Sequence, residues 1–110
     1  MNIESLRDYI LTKAHVTEGF PFGESTLVFK VDNKIFVLLS LDSVPPQFNV
    51  KCNPDKAIQL REEYPDEVLP GYHMNKKHWN TVIVNGKLKE GLLKEMIDES
   101  YKLVAKKIIS

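Results

Sequence analysis

Hydrophobic residues recur every three or four positions near both ends of the chain, which is the spacing of one helix face. This spacing predicts a first helix over residues 3–14, with Asn2 as its N-cap, and a last helix over about 89–108. Between them, Asn53-Pro54-Asp55 combines a cap, a proline at the first helical position and an acid near the positive end of the helix dipole. The pattern therefore predicts a middle helix that ends near Tyr64.

Several runs rich in β-branched and aromatic residues predict strands between and after these helices. Asp32-Asn33-Lys34 has turn residues between two such runs and indicates a hairpin. The next run alternates, so that Phe48, Val50 and Cys52 are expected to face the core. The predicted strands are Thr26–Val31, Ile35–Leu41, Gln47–Cys52, Val68–Met74 and Trp79–Asn85.

The last two predicted strands form a second, weaker hairpin. Residues 75–78 connect them, although Asn75 could instead cap one helical turn there. Trp79, Thr81 and Ile83 share one strand face, and we expect that face to pack against the last helix. A surface role for Trp79, as a platform on which a ligand stacks, is the alternative.

The element order is therefore α-β-β-β-α-β-β-α. Short connections between successive strands imply antiparallel pairing. We expect an α+β fold in which helices pack on one side of a twisted antiparallel sheet. A length of 110 residues suits a single domain, residues 1–110.

Charge and cysteine content indicate how the protein could bind a polyanion and in which compartment it acts. Fifteen basic side chains balance fifteen acidic ones, so binding to a polyanion needs a local patch of charge. The lone Cys52 fits a reducing compartment. Glu4, Arg7 and Asp8 interrupt any early apolar run, and the longest apolar run, 35–39, is far too short to cross a bilayer. We expect a cytoplasmic protein without membrane contact.

The sequence carries no recognisable catalytic or cofactor motif. Its five glycines build no phosphate-binding loop, and no serine lies in a nucleophile elbow. His73 and His78 are five residues apart, which places them on neither a common helix face nor a common strand face for metal ligation. We expect a protein that is not an enzyme and that holds no metal or cofactor.

Residues 68–89 hold four lysines, two of the three histidines and the only tryptophan, without any acid. Fixed positive charge beside flat rings suits DNA, whose phosphates need cations and whose bases stack. We expect the adjacent Lys76 and Lys77 to contact phosphates, with lysines near the first hairpin extending the patch. The candidate DNA-binding residues are Lys76, Lys77, Asn75, Asn80, Tyr72, His73, His78, Trp79, Lys30, Lys34, Lys51 and Lys87.

Four segments of the chain resemble the MmcQ/YjbR family of small bacterial proteins. The resemblance covers nearly the whole chain and implies an α-β3-α-β2-α fold similar to that of type III secretion chaperones. It also implies DNA binding through a "double wing" of two β-hairpins. The matching segments are Gly19-Phe20-Pro21-Phe22-Gly23, Leu27-Val28-Phe29-Lys30-Val31, Asn49-Val50-Lys51-Cys52 and the long segment from Pro70 to Val82.

Two other functions stay open at this point. A protein-interaction module is suggested by the chaperone-like topology and by the apolar strands. A small-ligand domain would require a deep pocket lined by Tyr72 and Trp79. In the Phe20-Pro21-Phe22-Gly23 segment, we expect a tight loop that folds back on the core, with one exposed ring as the functional alternative.

Overall fold

The computed structural model describes the backbone of residues 1–71 and 74–109 and the side chains of residues 1–71 and 74–105. This part of the chain forms three helices and six strands. In chain order they are α1 (Ile3–Leu11), β1 (Val16–Gly19), β2 (Thr26–Val31), β3 (Lys34–Ser40), β4 (Gln47–Lys51), α2 (Pro54–Glu63), β5 (Val68–Pro70), β6 (Trp79–Ile83) and α3 (Glu90–Ile109).

The predicted caps begin the first two helices. The Asn2 side chain accepts a hydrogen bond from the Ser5 amide at 2.8 Å, and the Ser5 hydroxyl accepts one from the Asn2 amide at 2.9 Å. The Asn53 side chain accepts from the Asp55 amide, with Pro54 in the first turn of α2. Both starts are confirmed, because each cap satisfies backbone N–H groups that the helix itself leaves unpaired.

The strands form one antiparallel sheet in the order β1-β2-β3-β4-β6-β5. The predicted α+β class is confirmed, and the sheet has one strand more than the predicted order contains. The additional strand is β1, which pairs with β2 from Val16 opposite Val31 to Gly19 opposite Val28. Sequence patterning missed β1 because Thr17 and Glu18 are exposed and give no apolar alternation.

The turn between β2 and β3 is a two-residue hairpin turn. Asp32 and Asn33 both adopt the left-handed region, with φ of 52° and 62°. Aspartate and asparagine tolerate this conformation better than other non-glycine residues, and it is the one that a type I′ turn requires. Val31 pairs with Lys34 across the turn, so the predicted hairpin is confirmed.

All three helices contribute to one core on one side of the sheet, which we call the inner face. The alternation predicted for β4 is confirmed, since Phe48, Val50 and Cys52 are buried in this core. Other core side chains are Leu6 and Ile10 of α1, Ala57 and Leu60 of α2, Leu93, Met96, Ile97, Val104 and Ala105 of α3, and Leu27, Phe29, Phe36, Val37, Leu39, Val68 and Val82 of the strands.

The opposite, outer face of the sheet carries Trp79, Thr81 and Ile83. Phe48 pairs with Val82, and both belong to the core, so the residues that flank Val82 on β6 point away from the helices. The prediction that these three residues share a face is confirmed. The prediction that this face packs on the last helix is wrong, because the even-numbered positions Asn80, Val82 and Val84 are the buried ones on the side of the helices.

No helix in the described part of the chain is long and apolar enough to cross a membrane.

Candidate nucleic-acid interface

The sheet topology gathers five of the predicted lysines at one end of the sheet. The β2–β3 turn, the end of β4 and the start of β6 all lie there, since Val31 pairs with Lys34 and Lys51 pairs with Trp79. Adjacent strands are about 4.8 Å apart, so β3 and β6 lie roughly 10 Å apart across β4. We call this surface the basic end, formed by Lys30, Lys34, Lys51, Lys76 and Lys77.

Part of the basic end lies on the outer face. Lys30 pairs with Ile35 on β2 and β3, and Lys51 pairs with Trp79 on β4 and β6, so these side chains share the outer face near one end of the sheet. Lys30, Lys51 and Trp79 are each half-buried. Asp32 lies in the adjacent turn and Asp55 lies in the first turn of α2 just beyond β4, and the five lysines outnumber these two acids.

Lys76 and Lys77 lie in a short helical turn before β6. The Asn75 side chain accepts a hydrogen bond from the Lys77 amide at 2.9 Å, and the Asn75 carbonyl accepts from the Trp79 amide at 3.0 Å. This is the capped turn that was the alternative prediction for this connection. It leaves both lysine side chains exposed.

Arg61 of α2 holds this turn to the rest of the fold, and sequence reasoning missed it. Its guanidinium donates to the Asn80 side-chain oxygen at 2.7 Å, to the Lys76 carbonyl and to the Trp79 carbonyl at 3.1 Å. A guanidinium suits this position because its fixed fork of donors can bind several oxygens at once. In the sequence, Arg61 stands before two glutamates and looks like part of a solvated helix end, so no local pattern could identify it.

Two further contacts fix the start of β6. Asn80 is 1% exposed and faces the inner side, which differs from the expectation that it contacts DNA. Gly71 donates to the Trp79 carbonyl at 2.9 Å, and a Cβ at Gly71 would lie only 2.8 Å from the Trp79 Cβ. A glycine is therefore required where β5 meets β6 most closely.

Of the remaining candidates, His78 adjoins the basic end, Lys87 lies away from it, and two lie outside the described residues. Lys87 follows the opposite end of β6, beyond Asn85, whose side chain donates to Glu67. Tyr72 and His73 lie outside the described residues. His78 is half-buried, and its carbonyl accepts from the Cys52 amide at 2.7 Å.

Next to the basic end, the outer face is concave. A cavity of about 850 Å³ lies between the loop before β2 and the β5 edge, and we call it the outer-face groove. Its lining includes Phe22, Leu38, Gln47, Asn49, Leu69 and Thr81. Within the described chain, the lining is formed by apolar side chains, hydroxyls and amides and contains no charged residue.

The loop before β2 leaves both of its aromatic rings accessible. Phe20 is 51% exposed and Phe22 is 65% exposed, so the expectation that the loop folds back on the core is wrong. The two rings line different hollows: Phe22 lines the outer-face groove, and Phe20 lines a smaller recess beside Val28 and Lys30.

Cys52 is buried, as expected for the inward face of β4. Burial raises the pKa of its thiol, and the nearby Glu99 carboxylate raises it further. Across residues 1–71 and 74–109, no group of three histidine, cysteine, aspartate or glutamate side chains is arranged to hold a metal ion. That no metal is bound stays a prediction.

Comparison with known proteins places the chain in a family. The sequence profile named YjbR matches residues 11–103, a range that runs from the end of α1 into α3. The chain belongs to the YjbR family. The MmcQ/YjbR resemblance is thereby confirmed.

Relatives in the YjbR family share the sequence over most of its length. The uncharacterized protein YbdF of Escherichia coli O157:H7 is 42% identical over 85 residues, which cover 77% of this chain and 69% of that protein. The uncharacterized protein YjbR of Escherichia coli strain K12 is 29% identical over 101 residues, covering 92% of this chain and 85% of that protein.

Solved structures show the same YjbR-family fold. The crystal structure of Deinococcus radiodurans protein DR2400 has a TM-score of 0.92 and 36% identity, covering 99% of this chain and 82% of that one. A Pseudomonas syringae protein has a TM-score of 0.77 and 26% identity, covering 94% of this chain and 99% of that one.

Proposed function

We propose that this YjbR-family protein binds DNA through the basic end of its sheet and that it is not an enzyme. The observation that carries the proposal is the convergence of five lysines from four separate segments on one end of the sheet. A chain with no net charge gains no general attraction to DNA, so the local excess of lysines at this end is what would supply it.

The local structure suits phosphate contact. Lys76 and Lys77 are exposed on a turn that Asn75 caps and Arg61 fixes, so two positive charges are held at the surface without any role in the core. Lys30 and Lys51 lie half-buried on the outer face, and a lysine in such a position can keep its ammonium group in solvent while its stem covers apolar surface. Phosphate contacts of this kind position DNA but do not read its sequence.

A binding role rather than a catalytic one is supported by the environment of Cys52, because a cysteine thiolate is a strong nucleophile only when it is accessible and ionised. Cys52 is buried and has a raised thiol pKa, which disfavours the nucleophilic thiolate. A free cysteine and a DNA ligand both suit action in the cytoplasm.

The proposal is tested by replacing Lys76 and Lys77 together with alanine and measuring the fluorescence anisotropy of a labelled DNA duplex. Because both side chains are exposed, the variant should fold as the parent does. Loss of two phosphate contacts should weaken binding and flatten the slope of log affinity against log salt by about 1.8 units. The loss should be similar for unrelated duplex sequences.

The matched control replaces Lys87 and Lys89, two exposed lysines beyond the opposite end of β6, and should leave affinity and salt slope unchanged. An unchanged salt slope in the Lys76/Lys77 variant would remove this turn from the site. A parent protein that binds no DNA at about 50 mM salt contradicts the proposal as a whole.

A protein-interaction module is the second candidate, because the outer-face groove exposes apolar side chains from both of its walls, Phe22 and Leu69. It would be favoured if oligonucleotides fail to bind while the protein self-associates or binds an apolar peptide.

A further inference from the structure

We infer that the outer-face groove binds the unpaired bases of single-stranded nucleic acid whose phosphates contact the basic end. The inference rests on the proposed function and deepens it by naming the form of the ligand. It follows from the chemistry of the groove, from its position and from the charges beside it.

The lining of the groove matches bases rather than phosphates. The Phe22 ring forms one wall on which a base can stack, and Leu38 and Leu69 add apolar surface against which a base face can pack. Gln47 and Asn49 are on the floor. The Gln47 amide offers both a donor and an acceptor to a base edge, and Asn49 offers its amide NH2 as a donor while its oxygen accepts from the Thr81 hydroxyl. The described lining residues contribute no cation, so a phosphate inside the groove would stay uncompensated.

The groove lies directly beside the cations that a backbone needs. Leu38 and Asn49 pair with each other across β3 and β4, and Lys51 follows Asn49 by two residues on the same outer face. Lys30 pairs with Ile35, which also lines the groove. The basic end of the outer face therefore presents positive charge, and the groove beside it presents neutral apolar and hydrogen-bonding groups.

A duplex does not use this arrangement. Its bases face one another inside the helix and are read in the major groove by a protruding helix or β-ribbon. Here the described helices pack on the inner face, and the stacking groups lie in a hollow of about 850 Å³. Only bases that have left a duplex can enter a hollow and stack on its walls.

The test compares a short labelled thymidine oligonucleotide with a labelled duplex, using Phe22→Ala and Phe20→Ala. These two phenylalanines lie in the same loop and are both more than half exposed, but only Phe22 lines the groove. Loss of one stacking ring should weaken single-strand binding roughly tenfold in Phe22→Ala. Binding of the duplex should stay unchanged in that variant, and Phe20→Ala should bind both forms as the parent does.

A second pair of variants tests the opposite wall. Leu69→Ala removes an apolar side chain from the groove, and Ile58→Ala removes a similarly exposed one from α2 on the inner side. Single-strand affinity should fall only in Leu69→Ala. Binding of a uridine oligoribonucleotide is measured in the same way. Comparison with the thymidine oligonucleotide shows whether the groove prefers the bases of DNA or of RNA.

The outcomes separate this inference from the proposed function. If both forms bind and depend on Lys76 and Lys77, but neither Phe22→Ala nor Leu69→Ala affects the single strand, the inference is wrong and DNA binding at the basic end stands. If no oligonucleotide binds, both fail. A common loss in Phe22→Ala and Phe20→Ala would place the bases on the loop rather than in the groove, and it too overturns the inference.

Discussion

At the scale of single residues, the two arginines of the chain show how position decides what a charged side chain contributes. Arg7 is exposed and pairs with Glu18 at 2.7 Å. Arg61 is half-buried and binds one side-chain oxygen and two backbone carbonyls of the segment around β6. Exposed pairs contribute little because solvent screens them, whereas a partly buried guanidinium that satisfies several acceptors is costly to remove.

Replacing Arg61 with alanine should lower the free energy of unfolding by about 2 kcal/mol or more. Asn80, already buried with a side-chain nitrogen that has no partner among the described residues, would lose the partner of its oxygen as well. Arg7→Ala removes the same charge and side chain from the surface and should have a much smaller effect. Urea denaturation of both variants makes the comparison, and equal losses would show that Arg61 does not hold the turn.

The sequence predicted residues whose role follows from their own neighbours along the chain. Three asparagines each cap the turn that follows them: Asn2, Asn53 and Asn75. Such a cap can be predicted from the asparagine and the few residues after it. Arg61 and the close approach of Gly71 to Trp79 depend on segments that meet only in the folded sheet. Local patterning contains no signal for either contact.

At the scale of elements, α1 and α3 are joined by a polar cluster outside the apolar core. The Tyr9 hydroxyl donates to the Asp98 carboxylate at 2.5 Å, and the Lys13 ammonium lies 2.5 Å from the same carboxylate oxygen. Burial, together with the bond to Asp98, raises the pKa of Tyr9 to about 12. Burial alone would raise the pKa of Asp98, but the bonds from Lys13 and Tyr9 outweigh it and hold that pKa below its usual value.

These shifts predict a pH dependence at both limits. Asp98 stabilises the fold above its unfolded pKa, and this contribution is lost as pH falls through its lower folded value. Tyr9 contributes fully below about pH 10, the pKa of an unperturbed tyrosine, and its contribution is lost as pH rises towards 12.

The alkaline limit is tested by urea denaturation of the parent and of Tyr9→Phe from pH 8 to pH 12. Because the variant lacks the phenol, the difference in unfolding free energy should be largest below about pH 10 and should shrink between about pH 10 and 12. A difference that stays constant over this range contradicts the raised pKa of Tyr9.

Elements with strong local signals were predicted well, and the failures lie at the edges of the sheet. The central strands β2, β3 and β4 match their predicted ranges closely because their apolar residues must be buried. The edge strand β1 was missed, and β5 ends at Pro70 rather than reaching Met74. Edge strands need fewer apolar residues, since only one side of the strand pairs, so periodicity identifies them poorly.

At the scale of the whole molecule, a neutral chain is organised into two chemically different sides. The inner face of the sheet packs against the helices, and the outer face carries the groove with lysines at one end. The fold class could be predicted from the order of elements, but not the outer-face groove. Its walls come from residues more than forty positions apart, Phe22 and Leu69, and only the strand order brings them to the same hollow.

This arrangement gives two probes on opposite sides of one sheet. Trp79, the only tryptophan, reports on the outer face beside β4, and the circular dichroism of the helices reports on the inner side. The central strands β3 and β4 contribute Leu39, Phe48 and Val50 to the core that the helices share, and β4 pairs directly with β6. Loss of the core therefore removes the support for both sides at once.

We therefore expect a single cooperative unfolding transition, as for one domain over residues 1–110. Tryptophan fluorescence and far-ultraviolet circular dichroism should give the same urea midpoint and the same slope, because each would follow the same loss of the shared core. The same two measurements are made on Arg61→Ala, in which the turn before β6 is weakened. If β6 could unfold independently, the Trp79 fluorescence of this variant would change at a lower urea concentration than its circular dichroism. If the fluorescence transition of that variant precedes the circular dichroism transition, the sheet edge unfolds separately, and the basic end belongs to a less stable region than the core that supports it.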